Sequence, residues 1–254
     1  RPLLLLAEDN KEISVFIQRE LSASYHVLKA YNGQEALDIL QKENVQVVIS
    51  DIMMPVMDGI ELCRRMKTDL QYSHIPIILL TAKNTLHSKI EGLEVGADAY
   101  IEKPFSFEHL MAQIANLINN RTIIKECFAR SPLTHIEGIA CSSADKNFLE
   151  QLNNIINDHI ADMELDVDQL SRMMNISRPT LYRKINALSN LTPNELINLS
   201  RLKKAAELLA EGNYKINEVA NMVGYSLQTN FSRDFHKQFG VTPSAYISGL
   251  QKNG

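Results

Sequence analysis

Val47-Val-Ile-Ser-Asp-Ile-Met-Met-Pro-Val-Met-Asp-Gly59 is the stretch that decides the fold. A run of apolar β-formers stops at one acid, Asp51, and a Pro/Gly turn follows. A carboxylate at the mouth of a buried strand costs free energy unless something pairs with it. Apolar runs read as buried strands at Leu3–Ala7, Tyr25–Ala30, Val45–Ser50, Ile75–Thr81 and Ala99–Glu102. Helical patterns alternate with them: Ile13, Ile17, Leu21; Ala36, Ile39, Leu40; Leu62 with Met66; Leu110, Ile114, Leu117, Ile118. This order predicts an α/β unit over residues 1–119, a doubly wound five-stranded parallel sheet covered on both faces. Ligands of such sheets bind beyond the carboxyl ends of the strands.

Those ends carry Glu8-Asp9-Asn10, Asp51, Thr81-Ala82 and Glu102-Lys103-Pro104. Singly, each has an ordinary explanation: Asp9 as a helix cap, Thr81 as a turn residue, Lys103 as a solvated charge. Together they put three acids, a hydroxyl and a lysine on one sheet edge. Clustered carboxylates repel unless protonated or bound to a cation. Mg²⁺ suits carboxylates, water and a phosphate oxygen. A carboxylate beside such an ion can act as a nucleophile toward phosphorus. The rest of a phosphoryl transfer is positioning and charge stabilisation, for which Lys103 offers a point charge and Thr81 a donor.

These residues resemble a response-regulator receiver domain over residues 3–119, on Ala-Glu-Asp-Asn, the quoted Asp51 stretch, Ile-Pro-Ile-Ile-Leu-Leu-Thr-Ala and Gly-Ala-Asp-Ala-Tyr-Ile-Glu-Lys-Pro-Phe. The resemblance implies that Asp51 accepts a phosphoryl group from a histidine kinase. It implies Mg²⁺ on Asp9 and Asp51, with Glu8 through water and the Met53 backbone carbonyl completing the site. It makes Thr81, Lys103 and Tyr100 the phosphoryl-stabilising and switch residues, and Lys103-Pro104 a cis peptide. Met53 and Lys83 flank the site. Met53 cannot position an attacking water, so a long-lived phosphate is expected.

After residue 120 no strand pattern appears. Residues 120–147, with Ser131-Pro132, Gly138 and Ser142-Ser143, read as a linker. An all-α domain is expected over 148–254, beginning with the apolar stripe Phe148, Leu149, Leu152, Ile155, Ile156, Ile160. It contains an internal repeat. Val167-Asp-Gln-Leu-Ser-Arg-Met173 aligns with Ile216-Asn-Glu-Val-Ala-Asn-Met222, and Leu181, Arg183 and Ile185 align with Phe231, Arg233 and Phe235. Each copy reads as helix, tight turn (Met174-Asn175 or Gly224) and helix, the helix-turn-helix pattern. A connecting helix starts at Thr192-Pro193 and stops at Gly212. Leu181, Ile185 and Leu188, and Phe231, Phe235 and Phe239, read as core. Pro179, Tyr182, Arg183 and Asn186, and Gln228, Thr229, Ser232 and Arg233, then face outward with groups suited to base edges and phosphates. A solvated polar face is the ordinary alternative. The repeated outward arginine favours DNA.

This half resembles the AraC-type DNA-binding domain, on Ile-Ser-Arg-Pro-Thr-Leu-Tyr-Arg-Lys-Ile, Arg-Leu-Lys-Lys-Ala-Ala-Glu-Leu-Leu, Ile-Asn-Glu-Val-Ala-Asn-Met-Val-Gly-Tyr and Phe-Ser-Arg-Asp-Phe-His-Lys-Gln-Phe-Gly-Val-Thr-Pro-Ser-Ala-Tyr. The family implies two recognition helices in adjacent major-groove segments. Pro179 departs from the family, which often has a larger contacting side chain there.

Composition agrees with two dissimilar halves. Residues 1–119 carry 11 Lys+Arg against 16 Asp+Glu, residues 160–254 carry 11 against 9, so the halves suit different partners. No apolar run approaches the roughly 18 to 20 residues of a membrane span, and no signal-peptide pattern opens the chain. Cys63, Cys127 and Cys141 are scattered, which fits a reducing compartment and no metal motif. The seven histidines are dispersed, with no HExxH pattern.

Receiver and AraC-type module together resemble the C-terminal part of a hybrid two-component regulator of the kind found in Bacteroidetes. That resemblance implies polysaccharide sensing, a histidine kinase in the same parent chain, a bacterial cytoplasmic location beneath an inner-membrane anchor, a homodimer on double-stranded DNA, and contact with the transcription machinery. The chain opens on a strand without an initiator Met, and a fragment of a longer protein is expected. Two other classes compete. An aspartyl-phosphate phosphatase would use a second acid two residues past Asp51, where Met53 stands. A constitutive DNA-binding protein could keep its receiver only as a dimerisation scaffold.

Overall fold

The structure, a computed structural model, describes residues 1–82, 95–130 and 142–252. Contacts divide the chain into two compact units. Among the described residues, the first holds Arg1–Lys125 and 142–147, and the second holds 126–130 and the chain from Phe148 onward.

The first unit is the expected α/β sheet. Its strands β1 (Leu3–Ala7), β2 (His26–Ala30), β3 (Val47–Asp51), β4 (Ile77–Ala82) and β5 (Ala99–Lys103) are parallel, in the order β2-β1-β3-β4-β5. Strand side chains alternate between two cores, as the period of two requires. Leu5, Ala7, Val48, Ile77 and Leu79 face helices α2 (Gly33–Leu40) and α3 (Gly59–Thr68). Leu4, Leu6, Val47, Ile49, Ile78, Leu80 and Ile101 face α1 (Lys11–Leu21) and α4 (Phe107–Arg130). Burying one such side chain contributes about 1.5–3 kcal/mol, so a one-residue slip that exchanged the faces would be resisted by many contacts at once. The chain reverses direction across the sheet between β1 and β3, which opens a crevice at their carboxyl ends.

Two details differ from the sequence pattern. Ile13 is 36% exposed while Ser14 is fully buried, because the buried stripe of α1 runs through Ser14, Ile17 and Leu21, at spacings of three and four. The expected linker at 120–147 also begins in helix. Helix α4 runs through residue 119 to Arg130, and α5 starts at Ser143. Residues 120–130 hold neither Gly nor Pro, so the helix has no local reason to stop before Ser131-Pro132.

The second unit is helical, with α5 (Ser143–Asp158) supplying its first helix from Phe148 onward. Helices α6 (Val167–Met173) and α7 (Arg178–Ser189) form the first repeat, α8 (Pro193–Glu211) connects, α9 (Ile216–Met222) and α10 (Gln228–Phe239) form the second, and α11 (Pro243–Lys252) follows. Helix α8 packs against α7, α9, α10 and α11. It starts in a capping box between Thr192 and Glu195 and ends at Gly212 in the left-handed region. The second repeat closes on Phe231 and Phe235, both fully buried, with Tyr225 edge-on to Phe231 at 5.5 Å. Among the described residues, no helix is long and apolar enough to cross a membrane.

Candidate functional site

Asp51 ends β3, and its partner comes from the far edge of the sheet. Lys103, the last residue of β5, places Nζ 2.9 Å from Asp51 Oδ2 and 2.8 Å from Glu8 Oε2. Glu8 is 1% exposed, and its other oxygen accepts the Asn10 N–H at 3.3 Å. Burial pushes the Glu8 carboxyl up, the neighbouring Asp51 charge adds to this, and the Lys103 contacts only partly offset both. For Lys103, burial works against the charge, but the two carboxylates outweigh it and hold the ammonium above its ordinary pKa.

Local sequence explains how these groups are aimed. Asn10, not Asp9, caps α1, accepting from the Glu12 and Ile13 amides at 3.0 and 3.2 Å. This leaves the Asp9 carboxylate free for the crevice. Asp58 caps α3 by accepting from Glu61 N–H at 2.7 Å, so α3 starts hard against the end of β3. A side chain on Gly59 would collide with the Asp51 carbonyl and stand 2.9 Å from Ser50 Oγ. Glycine is required there for close approach. The loop between them also contains Val56 at φ 68.

Oxygen atoms of Glu8, Asp9 and Asp51 lie within 4.8 Å of one another. Opposite ligands of an octahedral Mg²⁺ are about 4.2 Å apart. The donor set therefore fits a hard divalent cation with a small closure. Met53 follows Asp51 by two residues with its side chain 75% exposed. Thr81 is buried and its hydroxyl donates to the Ala82 carbonyl at 3.1 Å. Tyr100 packs inward against the core beneath α2 and α3. Its hydroxyl is buried without a hydrogen-bond partner among the described residues, and burial raises its pKa. The Lys103–Pro104 peptide is cis. Lys83 lies outside the described residues.

In the second unit, Pro179, Arg183, Asn186, Gln228, Thr229 and Arg233 are exposed, and Tyr182 and Ser232 are half-buried. The repeats are capped differently. Ser177 caps α7 through the Thr180 amide, with Pro179 in the first turn, whereas Leu227 precedes α10 without a side-chain cap. Sequence reasoning passed over Arg178. Its guanidinium lies 3.1 Å from Asp168 on α6 and over the Tyr182 ring at 5.8 Å, tying the two helices of the first repeat together. The pair Arg178–Asp168, ten residues apart across a turn, was the available signal. Arg233 is paired with its neighbour Asp234 at 3.0 Å.

The response regulator receiver domain family matches residues 4–115, and a helix-turn-helix domain family matches residues 170–249. A protein of Formosa agariphila named histidine kinase P4 is 40% identical over 243 residues, which is 96% of this chain and 18% of that protein. The chain thus spans less than a fifth of that relative's length. The "Probable transcriptional regulator ycf29" of Pyropia yezoensis is 32% identical over 207 residues, 76% of this chain and 93% of that protein. The structure of the Francisella response regulator 1452 receiver domain shares 35% identity, covers 47% of this chain and 98% of that one, and gives a TM-score of 0.44. A parallel sheet with an acid cluster at its switch point, followed by a doubled helix-turn-helix, is thus matched in both halves by known proteins, and the chain belongs to the response regulators, as a receiver domain followed by an AraC-type DNA-binding domain.

Proposed function

We propose that this chain is a phosphorylation-controlled transcriptional regulator, with Asp51 taking a phosphoryl group from a histidine kinase and the modified receiver domain governing how the two recognition helices engage double-stranded DNA. The observation that carries the proposal is the Lys103 ammonium held between Glu8 and Asp51 in a crevice of three acids.

In the transfer, an Asp51 carboxylate oxygen bonds to phosphorus. The P–N bond to the kinase histidine breaks, and the imidazole leaves with the electron pair. Glu8, Asp9, Asp51 and the Met53 carbonyl would hold Mg²⁺, which when bound neutralises charge on the acids and the phosphoryl group. Lys103 holds one phosphoryl oxygen as a point charge. Thr81 turns its hydroxyl from the Ala82 carbonyl to another. The new group adds about −1.5 to −2 charge, enough to bias a two-state element, and Tyr100 is the side chain beside Thr81's strand that responds. Residues 1–119 thus act as the input and 148–254 as the output. Pro179, Tyr182, Arg183 and Asn186 on one helix, and Gln228, Thr229, Ser232 and Arg233 on the other, make the DNA contacts. Dimerisation of phosphorylated chains joins weak sites through effective concentration. The Formosa relative, itself named a histidine kinase, supports a kinase within the same parent chain, and an inner-membrane anchor for that parent follows from the hybrid resemblance. Polysaccharide sensing follows from the hybrid resemblance alone.

Incubation with Mg²⁺ and acetyl phosphate, followed by intact mass, tests the proposal. One phosphoryl adduct is expected, absent in Asp51→Asn and without Mg²⁺, with DNA affinity differing between the two states. No adduct under any condition would leave a constitutive DNA-binding protein with an inert receiver domain.

A further inference from the structure

We propose that Arg201, on the connecting helix α8, is a positioning residue that fixes the spacing of the two recognition helices, and that residue 224 is glycine to admit it. This goes beyond the DNA contacts assigned above and rests on both helices engaging one duplex.

Arginine is rarely buried without a partner that needs it, yet Arg201 is 8% exposed. Its Nη2 donates to the backbone carbonyl of Asp162 at 2.5 Å, in the loop leading into the first repeat. Its Cζ and Nε sit against the turn of the second repeat: a Cβ on Gly224 would stand 3.0 Å from each. The same Cβ would be 2.7 Å from the Ile160 carbonyl. One side chain on the connecting helix therefore touches the approach to the first helix-turn-helix and the turn inside the second.

Backbone conformation alone does not demand glycine at 224. The equivalent turn residue of the first repeat is Asn175, which also adopts a left-handed conformation, with φ 53 against 77 at Gly224. Asparagine tolerates that region. What sets the second turn apart is the guanidinium and the carbonyl pressed against it. The contact chain continues to the DNA-facing surface. Tyr225 follows Gly224, and its hydroxyl donates to Asp234 Oδ2 at 3.4 Å, while Asp234 Oδ1 accepts from Arg233 Nε at 3.0 Å.

Stability is a poor explanation for this arginine. Its Nε is buried and has no hydrogen-bond partner among the described residues, which is a cost. A methionine would fill the same space without it. The guanidinium supplies direction instead, because its rigid plane presents Nη2 to the Asp162 carbonyl while Cζ and Nε lie against Gly224. Two recognition helices on one face of a duplex must sit about 34 Å apart, one helical turn. The gain from linking two weak sites vanishes when the linkage misplaces them.

The test uses the full chain, with and without acetyl phosphate. Duplexes are selected from a random pool by the wild type. Affinity is then measured by anisotropy for the selected site, for each half alone, and for the site with one base pair inserted between halves. For the wild type the insertion should weaken binding about ten-fold or more, as expected for two rigidly coupled contacts. Arg201→Met and Gly224→Asn should lose about ten-fold on the intact site, stay near wild type on single halves, and show little insertion penalty. Arg201→Lys, with charge but no fork, should fall between. A variant that lost intact-site and half-site binding in parallel, or kept the full insertion penalty, would overturn the positioning role. A wild type that selected no sequence at all would remove the DNA-binding premise and this inference with it, and that outcome is distinct because it appears before any variant is made.

Discussion

Replacing Asp98 should unfold the receiver domain far more easily than replacing its partner Lys67, although the two form one ion pair. Asp98 stands just before β5, at the end of the sheet opposite Asp51. Its Oδ2 accepts from Lys67 Nζ at 2.6 Å and from the Ile77 amide at 2.9 Å, and Oδ1 lies 3.7 Å from Arg121 Nη2. The side chains of Lys67 and Asp98 are only 6% and 17% exposed, so solvent screens the pair little. In Asp98→Ala, the ammonium of Lys67 keeps, among the described residues, the Ile75 carbonyl at 3.1 Å, and the Ile77 amide loses its acceptor. Orphaning one member of a buried pair costs about 3–5 kcal/mol. In Lys67→Met the buried cation itself is removed, and the carboxylate left behind keeps the Ile77 amide and Arg121, so about 1–2 kcal/mol is expected. At about 4 °C per kcal/mol for a domain of this size, Asp98→Ala should lower the transition by roughly 12–20 °C. Hydrogen exchange during urea unfolding reads both units at once: peptides from the sheet report the effect, and peptides from α8 serve as a control. Equal losses in the two variants, or a larger loss in Lys67→Met, would refute the reasoning.

Other outcomes follow from single features. Val56 is a β-branched residue at φ 68 and 86% exposed, so Val56→Gly should relieve strain of order 1–2 kcal/mol against the entropy glycine adds to the unfolded chain, and the receiver domain's melting temperature should rise by a few degrees. Thr192→Ala should cost the helical unit about 1 kcal/mol by removing the α8 cap. The Thr192 backbone amide, and then its hydroxyl, hold the Glu195 carboxyl below its ordinary value of 4.5. A depressed folded pKa contributes stability above the unfolded value that is lost as pH falls through the folded one. The Thr192→Ala difference should therefore shrink below about pH 4.5, measured as urea midpoints across a pH series. Burial raises the Cys63 thiol to about 11, so at pH 8 only about one molecule in a thousand carries the thiolate, and iodoacetamide should spare Cys63 in native protein while labelling it in urea.

The strand-helix alternation, the acids and lysine at the strand ends, the doubled helix-turn-helix and the stop at Gly212 were legible because they rest on local physics. Hydrophobic period, capping chemistry and turn residues act within a few positions. The same locality misled at Ile13, where the buried stripe runs through Ser14 instead, and at residue 119, where the helix continued to Arg130. What sequence could not decide is which side chains meet. Only the parallel order β2-β1-β3-β4-β5 brings Lys103 across 95 residues to Glu8 and Asp51. Only packing puts Arg201 under Gly224, or turns Tyr100 inward. Such pairings depend on distances between elements remote in the chain, which no local pattern encodes.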